Sequence, residues 1–180
     1  MIYEVKGNLF NGLPDCSVVM HQVNCLGIAG AGFAKQVRER FPGWYESYSE
    51  YCRFSKDNPK ELLGRFHQYA VNDRLIICSA FAQVGISKTA VMTDYRAWDT
   101  ILRQIEKQIY EKNRNDRQSW SLHIPYGIGC GLGGGDWEEM KSLFDFYFGE
   151  SPVKLYIHFD EKDAASPALR MNRQKQAVLK

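Results

Sequence analysis

Nothing in this chain approaches the roughly 18 consecutive apolar residues of a membrane-spanning helix. Its opening segment, MIYEVKGNLF, has neither the basic start nor the apolar block of a secretory leader. Paired cysteines are missing as well. Cys16, Cys25, Cys52, Cys78 and Cys130 are odd in number, widely spaced and form no CxxC, and none has a histidine at metal-ligand spacing. They read as reduced thiols of a cytoplasmic protein with no metal. No glycine-rich stretch ends in GK[ST], and none is GxGxxG with an acidic residue about 20 positions on, which argues against P-loop and Rossmann chemistry and calls for no cofactor. Excess charge is also lacking: 23 basic and 21 acidic residues leave +2. Residues 161–180 hold five Lys/Arg against two Asp/Glu, so residues 1–160 carry none of the positive surplus that grips a nucleic-acid backbone. The 180 residues read as one domain over 1–160 and a flexible basic tail over 161–180.

What is present is an alternation of short apolar runs and amphipathic segments. Ile2 to Lys6, Val18 to Val23, Leu62 to Val71, Arg74 to Ala80, Ser121 to Tyr126 and Val153 to Phe159 read as strands, with the Asn72-Asp73 turn marking a hairpin. Gly30 to Phe41 reads as a helix stopped by Pro42, and Trp44 to Arg53 as another. In Tyr95 to Lys112, Tyr95, Trp98, Ile101, Leu102, Ile105 and Ile109 recur at three- and four-residue spacing, one stripe of an amphipathic helix capped by Thr93 or Asp94. Asp136 to Tyr147 reads as the last helix. This alternation predicts an α/β protein whose sheet is covered by helices.

Glycine is concentrated in two places, each between a strand and a helix. VNCLGIAGAGFAKQV runs from Val23 to Val37, and six of the nine residues from Gly127 to Gly135 are glycine. Bare backbone N–H groups beside a helix N-terminus form an anion nest, and two such loops at neighbouring strand ends suit a pyrophosphate or similar dianion. The structural alternative for either loop alone is an awkward turn.

VKGNLF at 5–10, HQVNCLGIAGAGFAKQV at 21–37, TDYRAW at 93–98 and IPYGIGCGLGGGDW at 124–137 together resemble the macro domain family, which binds ADP-ribose. The resemblance spreads over most of residues 1–159. It implies a three-layer sandwich with a mixed central sheet flanked by helices. It also implies that Gly7, Asn8 and Leu9 meet the adenine end; family members mostly carry Asp where Asn8 stands. Val23, Asn24, Gly30, Ala31, Gly32 and Phe33 would form the first loop's contacts, and Tyr126, Gly127, Ile128, Gly129, Cys130, Gly131 and Leu132 the second's. KGN, His21 and the FPGWYESY spacing at 41–48 are similar to the branch that removes phosphate from ADP-ribose 1″-phosphate. The second loop is more like the branch that releases ADP-ribose from proteins or nucleic acid. That branch places a catalytic Asp after GCGL, where this chain has Gly133, and a catalytic Lys in a region that here reads Ala82-Gln83.

The activity implied is hydrolysis of a group on C1″ of the distal ribose, with ADP-ribose, its 1″-phosphate or an ADP-ribosylated macromolecule as partner and no membrane involved. Asn24 would fix the distal ribose hydroxyls, His21 would act as base or donor, and Asp136 would orient a water. Each has a plainer alternative: a turn asparagine, a core histidine, and the N-cap of a DWEE capping box with Glu139. A module that binds ADP-ribose without turnover is the competing function.

Overall fold

The computed structural model describes residues 1–115 and 118–160; the predicted tail over 161–180 lies outside them. Six strands form one sheet: β1 (Ile2–Lys6), β2 (Ser17–Asn24), β3 (Phe66–Asn72), β4 (Leu75–Gln83), β5 (Ser121–Pro125) and β6 (Leu155–Phe159). Their order is β1-β6-β5-β2-β4-β3. All neighbours are parallel except the β3–β4 hairpin. Four helices cover the faces: α1 (Gly32–Arg40), α2 (Pro42–Arg53), α3 (Tyr95–Asn115) and α4 (Trp137–Phe148).

Strand periodicity divides β2 between two cores. Val18 and Met20 point toward α3 and α4, with Leu122, Ile124, Trp98 and Phe144. Val19 and Val23 point toward α1 and α2, with Ile77, Phe81, Trp44 and Tyr48. A sheet buried on both faces explains why β2 and β4 read as continuous apolar runs. The α3 stripe is buried from Trp98 through Ile109, and Asp94 caps it, its Oδ1 accepting from the N–H groups of Arg96 and Ala97, both at 2.9 Å.

Several expected boundaries shift: the strand expected to end at Ala80 runs to Gln83, the helix expected to end at Lys112 runs to Asn115, the helix expected from Trp44 starts at Pro42, and the strand expected from Val153 starts at Leu155. The strand predicted from Leu62 starts at Phe66, because Pro59–Leu62 forms a 3₁₀ turn and Gly64 adopts φ +78. The helix predicted from Gly30 starts at Gly32. Among the described residues no helix is long and apolar enough to cross a membrane. The five parallel strands end at the same edge of the sheet, so the loops after β1, β2, β4 and β5 gather there.

Candidate functional site

The loop from Cys25 to Ala31 leaves β2 at a bulge between Val23 and Asn24 and enters α1 with Ala31 as an N-cap that supplies no side-chain hydrogen bond. Within the described residues no acceptor meets the N–H groups of Gly30, Ala31, Gly32 or Phe33. An uncapped helix N-terminus carries partial positive charge and free donors, which favours an anion. Gly32 has φ +59, and a Cβ there would lie 3.3 Å from Leu132 Cδ1, so the two glycine loops touch.

The glycines of the second loop fall into two groups. A Cβ on Gly133 would stand 2.5 Å from the Gly129 carbonyl oxygen and from Thr93 Oγ1, and 2.6 Å from Gln22 Nε2. Gly129 is blocked by Gln22 Oε1 at 2.6 Å, and Gly135 by the Gly129 carbonyl at 2.9 Å. At these three positions the protein itself packs against the bare backbone, so a ligand is not needed to explain the glycine. Position 133 therefore has no room for the carboxylate that the ADP-ribosyl-releasing branch carries there. Gly131 is different: it has nothing within 4 Å and no left-handed φ, and the same holds for Gly30 in the first loop.

Below the second loop lies a polar cluster that sequence patterning did not single out. Gln22 on β2 meets Gln83, Thr93 and Trp98, and Thr93 Oγ1 donates to the Gly129 carbonyl at 2.6 Å. Period two places Gln22 on the face opposite His21, the only local signal for it. Phe10 was missed too; its ring stacks on Phe33 with centroids 5.5 Å apart.

The candidate side chains are placed as follows. His21 is buried between Trp44 and Phe33, with ring centroids at 5.0 and 5.7 Å. Neither of its nitrogens has a hydrogen-bond partner among the described residues, and burial holds its pKa down to about 3. It is a neutral imidazole and a poor base at physiological pH. Asn24 is 6% exposed. Its Oδ1 accepts from the N–H groups of Leu26 and Ile28 at 3.0 and 3.1 Å, and its Nδ2 donates to the Ile28 carbonyl at 2.6 Å. Asn24 thus folds the first loop. Asn8 Oδ1 likewise accepts from the Phe10 N–H. The side chains of Leu9, Val23, Ile128 and Cys130 are buried in the cores, while Leu132 is exposed. Tyr126 packs on Trp137, with centroids 4.7 Å apart. Gly7 has φ +135 with open space around it, and Gly127 has φ +69.

Asp136 is the N-cap of α4, with Oδ1 accepting from the Glu138 N–H at 2.8 Å. The expected capping box with Glu139 does not form: the Asp136 side chain takes the Glu138 N–H instead, and the Asp136 N–H donates to the Tyr95 hydroxyl, 2.6 Å away. Asp136→Ala is expected to cost about 1 kcal/mol of stability in chemical denaturation, and Asp136→Asn to retain most of it. Loss of turnover in a fully stable Asp136→Asn variant would show that its carboxylate does more than cap.

No protein-family model matches the chain. The solved macrodomain protein of Streptomyces coelicolor superposes with TM-score 0.72 at 22% identity, covering 88% of this chain and 98% of that one. The chain folds as a macro domain. A Thermosipho africanus DarTG structure in complex with ADP-ribose superposes with TM-score 0.65 at 19% identity, over 87% of this chain and 41% of that one. Among curated proteins, ADP-ribose 1″-phosphate phosphatase of Debaryomyces hansenii is 38% identical over 68 residues, 36% of this chain and 38% of that protein. The Saccharomyces cerevisiae protein of the same name is 25% identical over 172 residues, 84% of this chain and 96% of that protein. The matched stretch spans only 38%, 30% and 35% of the length of three fungal relatives.

Proposed function

We propose that this macro domain binds ADP-ribose between its two glycine loops and hydrolyses a group attached to C1″ of the distal ribose. The observation that carries the reading is the pair Gly30 and Gly131. Neither has a conformational or internal steric reason to be glycine, so the bare backbone is explained by what lies against it, and unpaired N–H groups beside an uncapped helix suit a pyrophosphate. Relatives named ADP-ribose 1″-phosphate phosphatase support the choice of substrate. In that reaction water attacks the 1″ phosphorus, the C1″ oxygen leaves, and ADP-ribose and inorganic phosphate result. Loop amides would stabilise the developing charge, and the ribose edge would lie near Asn24. The five free, buried thiols fit a reducing, cytoplasm-like compartment.

A second reading, binding without turnover, is favoured by specific observations: His21 is held neutral, Asn24 and Asp136 are engaged with backbone, and position 133 admits no carboxylate. Titration calorimetry with ADP-ribose, with AMP and ribose 5-phosphate as controls, tests the shared claim. Micromolar affinity, about −8 kcal/mol, is expected for ADP-ribose alone. Phosphate release from ADP-ribose 1″-phosphate then separates enzyme from module. Absence of ADP-ribose binding by the folded protein would defeat both.

A further inference from the structure

The cluster under the second loop has a direction that can be read from its chemistry. An indole N–H can only donate, and Trp98 Nε1 lies 2.7 Å from Gln22 Oε1. That fixes the Gln22 amide, leaving Nε2 to donate to Gln83 Oε1 at 2.6 Å and Thr93 Oγ1 at 2.9 Å. Thr93 accepts there, so its own proton goes to the Gly129 carbonyl at 2.6 Å. Gln83, accepting at Oε1, donates through Nε2 to the Gly85 carbonyl at 2.7 Å. The backbone of Met92 and Thr93 donates to the Gly133 carbonyl at 2.8 and 3.1 Å.

One side chain on β2 therefore holds down the start of the 84–92 loop through Gln83, and its end together with the second glycine loop through Thr93. The carbonyls of Gly129 and Gly133 are drawn inward, while the N–H groups of Gly131 and Leu132 find no acceptor among the described residues. Gln22 and Thr93 also occupy the space a side chain at 133 would need. We infer that Gln22 and Thr93 are positioning residues for ligand binding, which set the second glycine loop with its amides presented to the anion before any ligand arrives. The inference rests on the proposed ADP-ribose site. Preorganised donors avoid the cost of ordering a loop on binding, and a glycine-rich loop has the most freedom to lose.

The test is ADP-ribose calorimetry on Thr93→Val, Thr93→Ser and Gln22→Met, each well below its unfolding temperature, with amide hydrogen exchange of residues 84–92 and 127–135 in the same proteins. Thr93→Val keeps the shape but removes the hydroxyl, and should weaken ADP-ribose about tenfold and speed exchange in both loops. Thr93→Ser restores the hydroxyl and should return affinity to within about threefold of the original chain. A purely structural role would lower the melting temperature of Thr93→Val and leave the folded protein's affinity unchanged. Gln22→Met repeats the test from the other end of the chain of bonds, should Thr93→Val fail to fold. Wild-type binding with unchanged affinity in a folded Thr93→Val or Gln22→Met variant overturns this inference alone. No binding by the wild-type protein overturns it together with the proposed site.

Discussion

Gly131→Val and Gly30→Val are expected to weaken ADP-ribose binding by roughly 100-fold, close to 3 kcal/mol, while thermal unfolding stays within a few degrees of the original chain. A side chain at either position meets open space within the protein, so the fold has nothing to lose, and the branched methyls would fall where the ligand's phosphates approach. Gly133→Ala, in contrast, should cost stability, which Gly131→Val and Gly30→Val do not. Its Cβ would meet a carbonyl oxygen and Thr93 Oγ1 at 2.5 Å and Gln22 Nε2 at 2.6 Å. Overpacking of that kind costs about 1–3 kcal/mol, a drop of roughly 2–10 °C for a domain of this size. Gly32 is unsuitable for the comparison, since its left-handed φ strains any replacement. Calorimetry and thermal unfolding on the same three variants separate the two classes of glycine. A folded Gly131→Val protein with full affinity would remove the loop from the site.

Acidification should destabilise the domain before its carboxylates titrate. His21 and His123 are each 1% exposed, and burial lowers both to about 3, with neighbouring His158 contributing at His123. The unfolded chain protonates these imidazoles near 6.5, whereas the folded chain resists until about pH 3. Between those values the unfolded state binds more protons, so stability rises with pH; it is fully present above about 6.5 and lost progressively below. Two such groups give a slope of roughly 2.7 kcal/mol per pH unit near pH 5, and His67 and His158 shift the same way. Urea denaturation at pH 7.5 and pH 5 reads it directly. His21→Phe should lower the slope by about 1.4 kcal/mol per pH unit, whatever its effect on stability at neutral pH. Stability that is flat from pH 7.5 to 5 would show that water reaches these rings.

Elements specified by local chemistry were legible in the sequence. The α3 stripe, the Pro42 break, the Asn72-Asp73 hairpin and the short buried strands each depend on residues within a few positions of one another. Leu62 misled because two adjacent leucines, the last residue of a 3₁₀ turn and the one after it, present the same apolar signal as a strand start. In the site, the position of both loops was readable from glycine density, but the reasons for individual glycines were not. Gly133 is bare because of Gln22 and Thr93, contacts made across the fold that no local periodicity encodes. The capping-box pattern around Asp136 was present in the sequence, but Tyr95, brought in from α3, takes the N–H the motif needs.

The placement of β1 sets the order in which the molecule can be completed. Its register pairs Ile2 with Leu155 and Lys6 with Phe159, and the Gly7 N–H also donates to the Phe159 carbonyl at 2.8 Å. Among the described strands β1 thus has no partner until β6 has emerged. Contacts so distant in sequence form slowly, since loop-closure entropy opposes them until late. The turn at Gly7, Asn8 and Leu9 follows that strand, so it is the last of the strand-end turns to be fixed in place, and a nascent chain released before Phe159 would carry both glycine loops while that turn is still unanchored.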